Sequence, residues 1–279
     1  MRTKEEHFNV TINLMPQNSV KILRETIATI ENRPNAMPVN GGVSVTSDTG
    51  FGTNWLASLE TGALTEVIPS GYRDRIAALG KVMASLADLS KRSDDPILWC
   101  QLRDVERLHL HGPGLTAFGI DPARVTKVTL LTERDLLWTM EEAVASGSVA
   151  AVAGVLWSEK LYDFTASKRL RMRARESDTA VVMVRSHRAH GTTAADHRLS
   201  VSTQPSLGAE HRPGAFGLLG DPTWQVNLTK SRHSHPGTQY VSWNPEAVRL
   251  NMATALADRA ASTVSASHPR PVVPIRATG

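Results

Sequence analysis

The stretch GALTEVI at residues 62–68, followed by PSGYRDR at residues 69–75, decides the fold of this chain. Residues 62–68 are mostly apolar and predict a buried β-strand. A helical pattern begins at Ile76, because Ile76, Leu79 and Met83 recur on one helical face. A strand, a short loop and a helix in this order form the framework of a nucleoside-triphosphate site.

The loop between this strand and helix lacks the groups that bind a phosphate. A working P-loop needs glycines whose amides wrap the phosphates, a lysine on the phosphate oxygens and a hydroxyl for magnesium. Ser70, Gly71, Tyr72 and Arg73 occupy this place, and no Gly-Lys-Ser/Thr occurs in the chain. We therefore predict a degenerate P-loop and no bound cofactor. Two interpretations stay open for Arg73 and Arg75: a residual phosphate site at the helix N-terminus, or a solvated loop.

Composition excludes several classes of protein. The 279 residues are 41% hydrophobic, which allows one substantial core, and the net charge is +4. The chain has no apolar run long enough to span a membrane and no apolar stretch of a secretory signal near Met1. A single cysteine excludes an intrachain disulfide and fits a reducing compartment. These features predict a cytoplasmic protein.

The order of patterns predicts five segments. They are a disordered N-terminus (1–18), an N-terminal helix (19–33), a linker or arm (34–60), a core (61–252) and a flexible C-terminal tail (253–279).

Within the core, strands and helices alternate as far as Arg185. Apolar strands are predicted at 62–68, 96–100, 125–131, 149–156 and 179–184, with helices at 74–91, 133–146 and 165–177 between them. Uninterrupted apolar strands predict an α/β fold with a mostly parallel sheet sandwiched by helices. Three later strands, at 198–203, 224–230 and 239–243, are separated by what we expect to be short loops and predict antiparallel strands added C-terminally.

Four blocks of sequence carry a family resemblance: LWCQLRD (98–104), HGPGLTAFGIDPARV (111–125), LWTMEEA (137–143) and LYDFTASKRL (161–170). With these blocks the chain resembles the RecA superfamily from about residue 20 to about residue 250. It resembles more closely the ImuA family, RecA-like proteins of bacterial mutagenesis cassettes.

The resemblance implies a RecA-like fold and a non-catalytic accessory or adaptor role in SOS-induced, error-prone translesion synthesis after DNA damage. The partners that it implies are an inactive Y-family polymerase homologue (ImuB), an error-prone DnaE-type polymerase and RecA, with DNA as a weaker contact. The location that it implies is the cytoplasm, with association to the nucleoid when DNA is damaged.

The chain departs from the ATP-hydrolysing members of the superfamily at a second place. Hydrolysis needs an acid after the fourth apolar strand to hold magnesium or its water. Here that strand ends near Leu156, and Glu159 comes about three positions late. We therefore expect no ATPase activity and no catalytic residues.

Two sets of residues are candidates for binding. The densest basic segment could contact DNA phosphates or an acidic partner, or could be an ordinary solvated helix face; it consists of Lys168, Arg169, Arg171, Arg173 and Arg175. Apolar residues near both ends could dock a partner or a second copy, or could close the core; they are Leu23, Ile27, Ile30, Trp243 and Leu250.

Other functions remain as alternatives. Arg73 could replace the P-loop lysine in a divergent nucleotide-binding RecA-like ATPase. The chain could also inhibit RecA filaments or cell division as a RecA mimic. Histidine pairs such as His187/His190 invite a metal hypothesis, but no HExxH motif or second cysteine supports zinc.

Overall fold

The structure is a computed structural model that describes residues 59–103, 110–157, 160–206, 220–232 and 235–253. The predictions for the N-terminal segments 1–18 and 19–33, for most of the linker, and for the tail beyond residue 253 lie outside the described residues. The described elements are β1 (Leu64–Pro69), α1 (Arg75–Ser90), β2 (Ile97–Leu102), α2 (Gly112–Ala117), β3 (Val125–Leu130), α3 (Glu133–Ser146), β4 (Ala151–Val155), α4 (Phe164–Ser177), β5 (Ala180–Val184), β6 (His197–Gln204), β7 (Thr223–Lys230), β8 (Gly237–Asn244) and β9 (Arg249–Ala253).

All of these strands form a single sheet in the order β3-β2-β4-β5-β1-β6-β7-β8-β9. Strands β1 to β6 are parallel, and β7, β8 and β9 continue the sheet in antiparallel pairs. The predicted fold class is therefore confirmed: the sheet is mostly parallel, carries antiparallel strands at its C-terminal side and is consistent with a RecA-like fold.

The C-terminal strands differ from the sequence prediction in three details. β6 runs parallel to β1 and pairs with the side of β1 opposite β5. The chain reverses its direction only afterwards, between β6 and β7. Residues 205–222 join β6 to β7, so this connection is not short. β9 was not predicted, since only Leu250 and Met252 alternate in it as apolar residues.

Helices cover both faces of the sheet, and the sheet separates two hydrophobic core clusters. Leu86 of α1 packs with Trp99, Val182 and Val226 on one face, and Leu136 of α3 packs on the other with Leu170 of α4. β7 and β8 bury only alternate residues, since helices cover them on one side alone.

The helix predicted at 133–146 is observed as α3, and local contacts fix both of its ends. Thr132 Oγ1 accepts a hydrogen bond from the backbone N–H of Asp135, and Gly147 adopts the left-handed conformation that ends the helix. Asp163 caps α4 in the same way by accepting from the N–H of Ala166. No helix in the described ranges has the length and apolar character needed to cross a membrane.

Candidate functional site

The C-terminal ends of the parallel strands are where an open α/β sheet places its ligands. At this edge β1 ends at Pro69, and only Ser70 and Gly71 precede a 3-10 helix at Tyr72–Asp74 that leads into α1. This connection contains the segment for which the sequence predicts a degenerate P-loop.

Hydrogen bonds within the connection and to β6 hold it in place. The Ser70 N–H donates to the Val201 carbonyl at 2.8 Å, and the Ser70 hydroxyl lies 2.9 Å from that of Ser200. The Asp74 N–H donates to the Gly71 carbonyl at 3.0 Å, while Asp74 Oδ1 accepts from the Thr203 N–H at 2.8 Å. A phosphate loop needs its amides to converge on the ligand, so the bonds at Ser70 and Asp74 withdraw two donors from such a role.

The Arg75 guanidinium packs on the ring of Tyr72. Its guanidinium carbon lies 3.5 Å from the centroid of the Tyr72 ring, and its Nε donates to the Tyr72 carbonyl at 3.0 Å. The ring of Trp157, just after β4, lies 5.7 Å away from the same guanidinium. The ring of His187, just after β5, meets the Tyr72 ring edge-on at 5.9 Å.

These four residues form an aromatic and basic cluster at the C-terminal edge of the sheet, called here the edge cluster: Tyr72, Arg75, Trp157 and His187. Tyr72 is 63% exposed, which is unusual for a residue whose ring makes several contacts. Sequence reasoning missed the edge cluster. Its only signal is that each member follows a predicted apolar strand, because such residues meet at one edge of a parallel sheet.

A buried ionic network lies next to this edge, inside the sheet. Glu66 of β1 is inaccessible to solvent and accepts from Arg185 Nη1 at 3.1 Å, Arg198 Nε at 2.7 Å and the Tyr162 hydroxyl at 2.9 Å. Burial pushes the pKa of Glu66 up, but Arg185, a hydrogen bond from Thr193, and Arg198 outweigh it and leave the pKa lowered. Glu66 therefore stays ionised and links β1, β5 and β6.

The loop that precedes α4 is held by a second carboxylate. Glu133 of α3 accepts from the backbone N–H groups of Lys160, Leu161 and Tyr162, with shortest distances of 2.9, 2.7 and 2.9 Å. Glu159, the acid that sequence reasoning compared with the hydrolytic acid, lies outside the described residues.

The basic segment on α4 is largely engaged within the protein. Arg169 pairs with Glu141 at 3.0 Å, Arg171 with Asp196 at 2.9 Å and Arg173 with Glu142 at 3.3 Å. Lys168 and Arg175 are exposed on the same helix. The structure therefore brings the five predicted contacts onto one helix but leaves their binding role a prediction.

Of the five predicted docking residues, Trp243 and Leu250 lie within the described residues. Trp243 is 3% exposed and stacks on Phe118 with ring centroids 4.9 Å apart, so its side chain closes the core, the alternative weighed for it above. Leu250 is partly buried against the same core. Leu23, Ile27 and Ile30 lie outside the described residues, and their docking role stays a prediction.

Histidine pairs and the single cysteine are further groups that could carry chemistry. Within the described ranges, no group of three or more His, Cys, Asp or Glu side chains is placed to hold a metal ion. Cys100 is fully buried in β2, and burial raises the pKa of its thiol, so it behaves as a small apolar core residue.

Comparison with known proteins agrees with the sequence blocks. No protein-family profile matches the chain. Over 189 residues the chain is 27% identical to Protein ImuA of two strains of Caulobacter vibrioides, and the match covers 64% of this chain and 74% of each relative. The chain is thus similar in sequence to the ImuA proteins, the family that the sequence blocks resemble.

Proposed function

We propose that this chain is a non-catalytic RecA-like adaptor of error-prone translesion DNA synthesis. It recruits an inactive Y-family polymerase homologue of the ImuB type and an error-prone DnaE-type polymerase to damaged DNA, and RecA is a further partner. The similarity to Protein ImuA supports a place in a mutagenesis cassette. In this proposal the surfaces of the molecule, not an active site, carry its function.

One observation carries the non-catalytic part of the proposal. Only two residues join β1 to the helical segment at Tyr72, Ser70 is bonded to β6, and Arg75 lies on the Tyr72 ring. Phosphoryl transfer depends on positioned cations and amides around the phosphates, and this connection lacks the lysine and the loop length that supply them. We infer that the chain keeps the RecA-like framework and has lost the groups that hydrolyse ATP.

Co-purification with the polymerase homologue tests the adaptor. The tagged full-length chain is expressed with an ImuB-type protein from the same cassette, treated with nuclease and washed in moderate salt. We expect the complex to persist, because an adaptor surface with an apolar centre depends little on salt or on bridging DNA. Recovery of nucleic acid or nucleotide without the polymerase homologue would contradict the adaptor function.

Matched variants locate the docking segment in the same experiment. Ile27 lies on the apolar side of the predicted N-terminal helix, and Ala28 lies on the other side. If the helix docks the polymerase homologue, Ile27→Asp abolishes recovery and Ala28→Asp preserves it. If both variants bind normally, the docking surface lies elsewhere, and the exposed face of α4 is next to be mapped through Lys168 and Arg175.

A further inference from the structure

We propose that the edge cluster is a stacking site for an unpaired base of single-stranded nucleic acid. Tyr72 supplies the stacking ring, while Arg75, Trp157 and His187 hold it in place. The proposal goes beyond the adaptor function, which needs no direct contact with nucleic acid.

The Tyr72 ring is both supported and accessible. Arg75 covers one face at 3.5 Å, and His187 meets the ring edge at 5.9 Å. Tyr72 is still 63% exposed, and we infer that the ring face opposite Arg75 is the accessible one. A flat ring held from behind by a guanidinium is the arrangement on which bases stack, with an added cation–π contribution.

The charges around the ring favour a polyanion. Arg73 and Arg188 are exposed and lie next to Tyr72 and His187 in the chain. Among the described residues, Glu66 is buried between two arginines, while Asp74 accepts from Thr203 and keeps its negative charge. Arg73, Arg75 and Arg188 outnumber Asp74 around the ring, so the described charges are net positive where a sugar–phosphate backbone would flank a stacked base.

Other features of the molecule fit this ligand less well. The connection after β1 lacks the loop of a mononucleotide phosphate site, so base stacking and single phosphate contacts are the chemistry that remains. On α4, Arg169, Arg171 and Arg173 are held in ion pairs. The exposed ring of Phe164 at the start of that helix has no cation stacked on it among the described residues. Single strands fit better than duplex, whose bases are already stacked on one another.

Fluorescence anisotropy with a labelled oligo-dT of about 20 nucleotides tests the proposal on the full-length chain. We expect Tyr72→Ala to weaken binding roughly 5- to 150-fold, the range of one stacked base, and Tyr72→Trp to retain it. Arg73→Ala/Arg188→Ala should instead reduce the salt dependence of the affinity, because it removes phosphate contacts. Trp157 fluorescence gives a second readout, since its ring lies close to the same guanidinium.

The controls separate this site from the rest of the molecule. Lys168→Ala/Arg175→Ala on α4 should leave oligo-dT affinity within about twofold, and millimolar ATP should not displace the oligonucleotide. Circular dichroism checks that the exposed Tyr72 variants are folded. Absence of binding by the unmodified protein, unchanged affinity of Tyr72→Ala, or loss of binding in the α4 variant would each overturn the proposal. Retained capture of the polymerase homologue by Tyr72→Ala would show that the adaptor function stands independently.

Discussion

Glu66 is a carboxylate buried in the central strand, and two arginines and a tyrosine hydroxyl satisfy it. Arg185 is 1% exposed, so removing the negative charge would leave a buried guanidinium without the carboxylate that neutralises it. We expect Glu66→Gln to lower the free energy of unfolding by about 3–5 kcal/mol, the usual cost of breaking a buried ion pair. Urea denaturation measures this loss, with Glu176→Gln on the exposed face of α4 as a control that should stay within about 0.5 kcal/mol.

The same residue predicts how stability depends on acid. The folded pKa of Glu66 is lower than its ordinary value of 4.5, so its contribution is fully present above pH 4.5. The contribution is lost as the pH falls through the folded pKa, because the unfolded chain then binds the proton first. The free energy of unfolding of Glu66→Gln should therefore fall less steeply with acid than that of the unmodified protein. Equal slopes below pH 4.5 would contradict an ionised Glu66 in the folded protein.

Sequence reasoning could not find this network at the residue scale. Glu66 stands in a stretch that predicts a buried strand, and its partners Arg185 and Arg198 lie 119 and 132 residues further along the chain. Local patterns report which residues alternate or recur, but they carry no information on which distant strands become neighbours. A charged residue inside an apolar strand is the one signal that a partner must exist.

At the scale of elements, Glu133 joins the start of α3 to the loop before α4. Its carboxylate accepts three successive backbone N–H groups, from Lys160 to Tyr162. Each hydrogen bond to a charged group contributes about 1.5–3 kcal/mol, and these bonds share one carboxylate, so we expect Glu133→Ala to cost about 2–3 kcal/mol in total. Hydrogen exchange measured by mass spectrometry should become faster in the peptide that contains residues 160–163.

Glu142 gives the matched control for that element. It lies on the same helix and pairs with Arg173 at 3.3 Å, but both side chains are substantially exposed. Such surface pairs contribute about 0–1 kcal/mol, so Glu142→Ala should leave exchange in residues 160–163 unchanged. Equal effects of the two variants would mean that the loop is held by packing and not by the Glu133 carboxylate.

Elements were predictable where the signal is local. The apolar recurrence in α1 and the Thr132 cap and Gly147 stop of α3 are all written within a few residues, and each element formed where expected. The direction of β6 could not be predicted from local sequence, because it depends on how the strand pairs with β1, more than 100 residues earlier in the chain. β9 was missed for the same reason, because its five residues carry a weak strand pattern and pairing with β8 stabilises it as a strand.

At the scale of the whole molecule, the sheet order brings together residues that the sequence keeps apart. β1 lies between β5 and β6, with β4 next to β5, so the segments after β1, β4 and β5 meet at one edge. The edge cluster forms there, in the place where a RecA-like ATPase would hold nucleotide. Sequence reasoning placed Tyr72 and Arg75 at this edge, in a loop predicted to have lost its phosphate-binding groups, but did not bring Trp157 and His187 to them.

The edge cluster at this position predicts how nucleotide affects the thermal stability of the whole chain. A ligand at 100 times its Kd stabilises the folded state by about 2.7 kcal/mol, which raises the Tm of a domain of this size by several degrees. We expect millimolar ATP with magnesium to leave the Tm unchanged and to be hydrolysed no faster with DNA present than without it, because Ser70 and Arg75 are engaged elsewhere. Thermal unfolding and phosphate release measure the two outcomes. An ATP-dependent rise in Tm that Arg73→Ala removes, or DNA-stimulated turnover, would make this edge a working nucleotide site and end the non-catalytic interpretation.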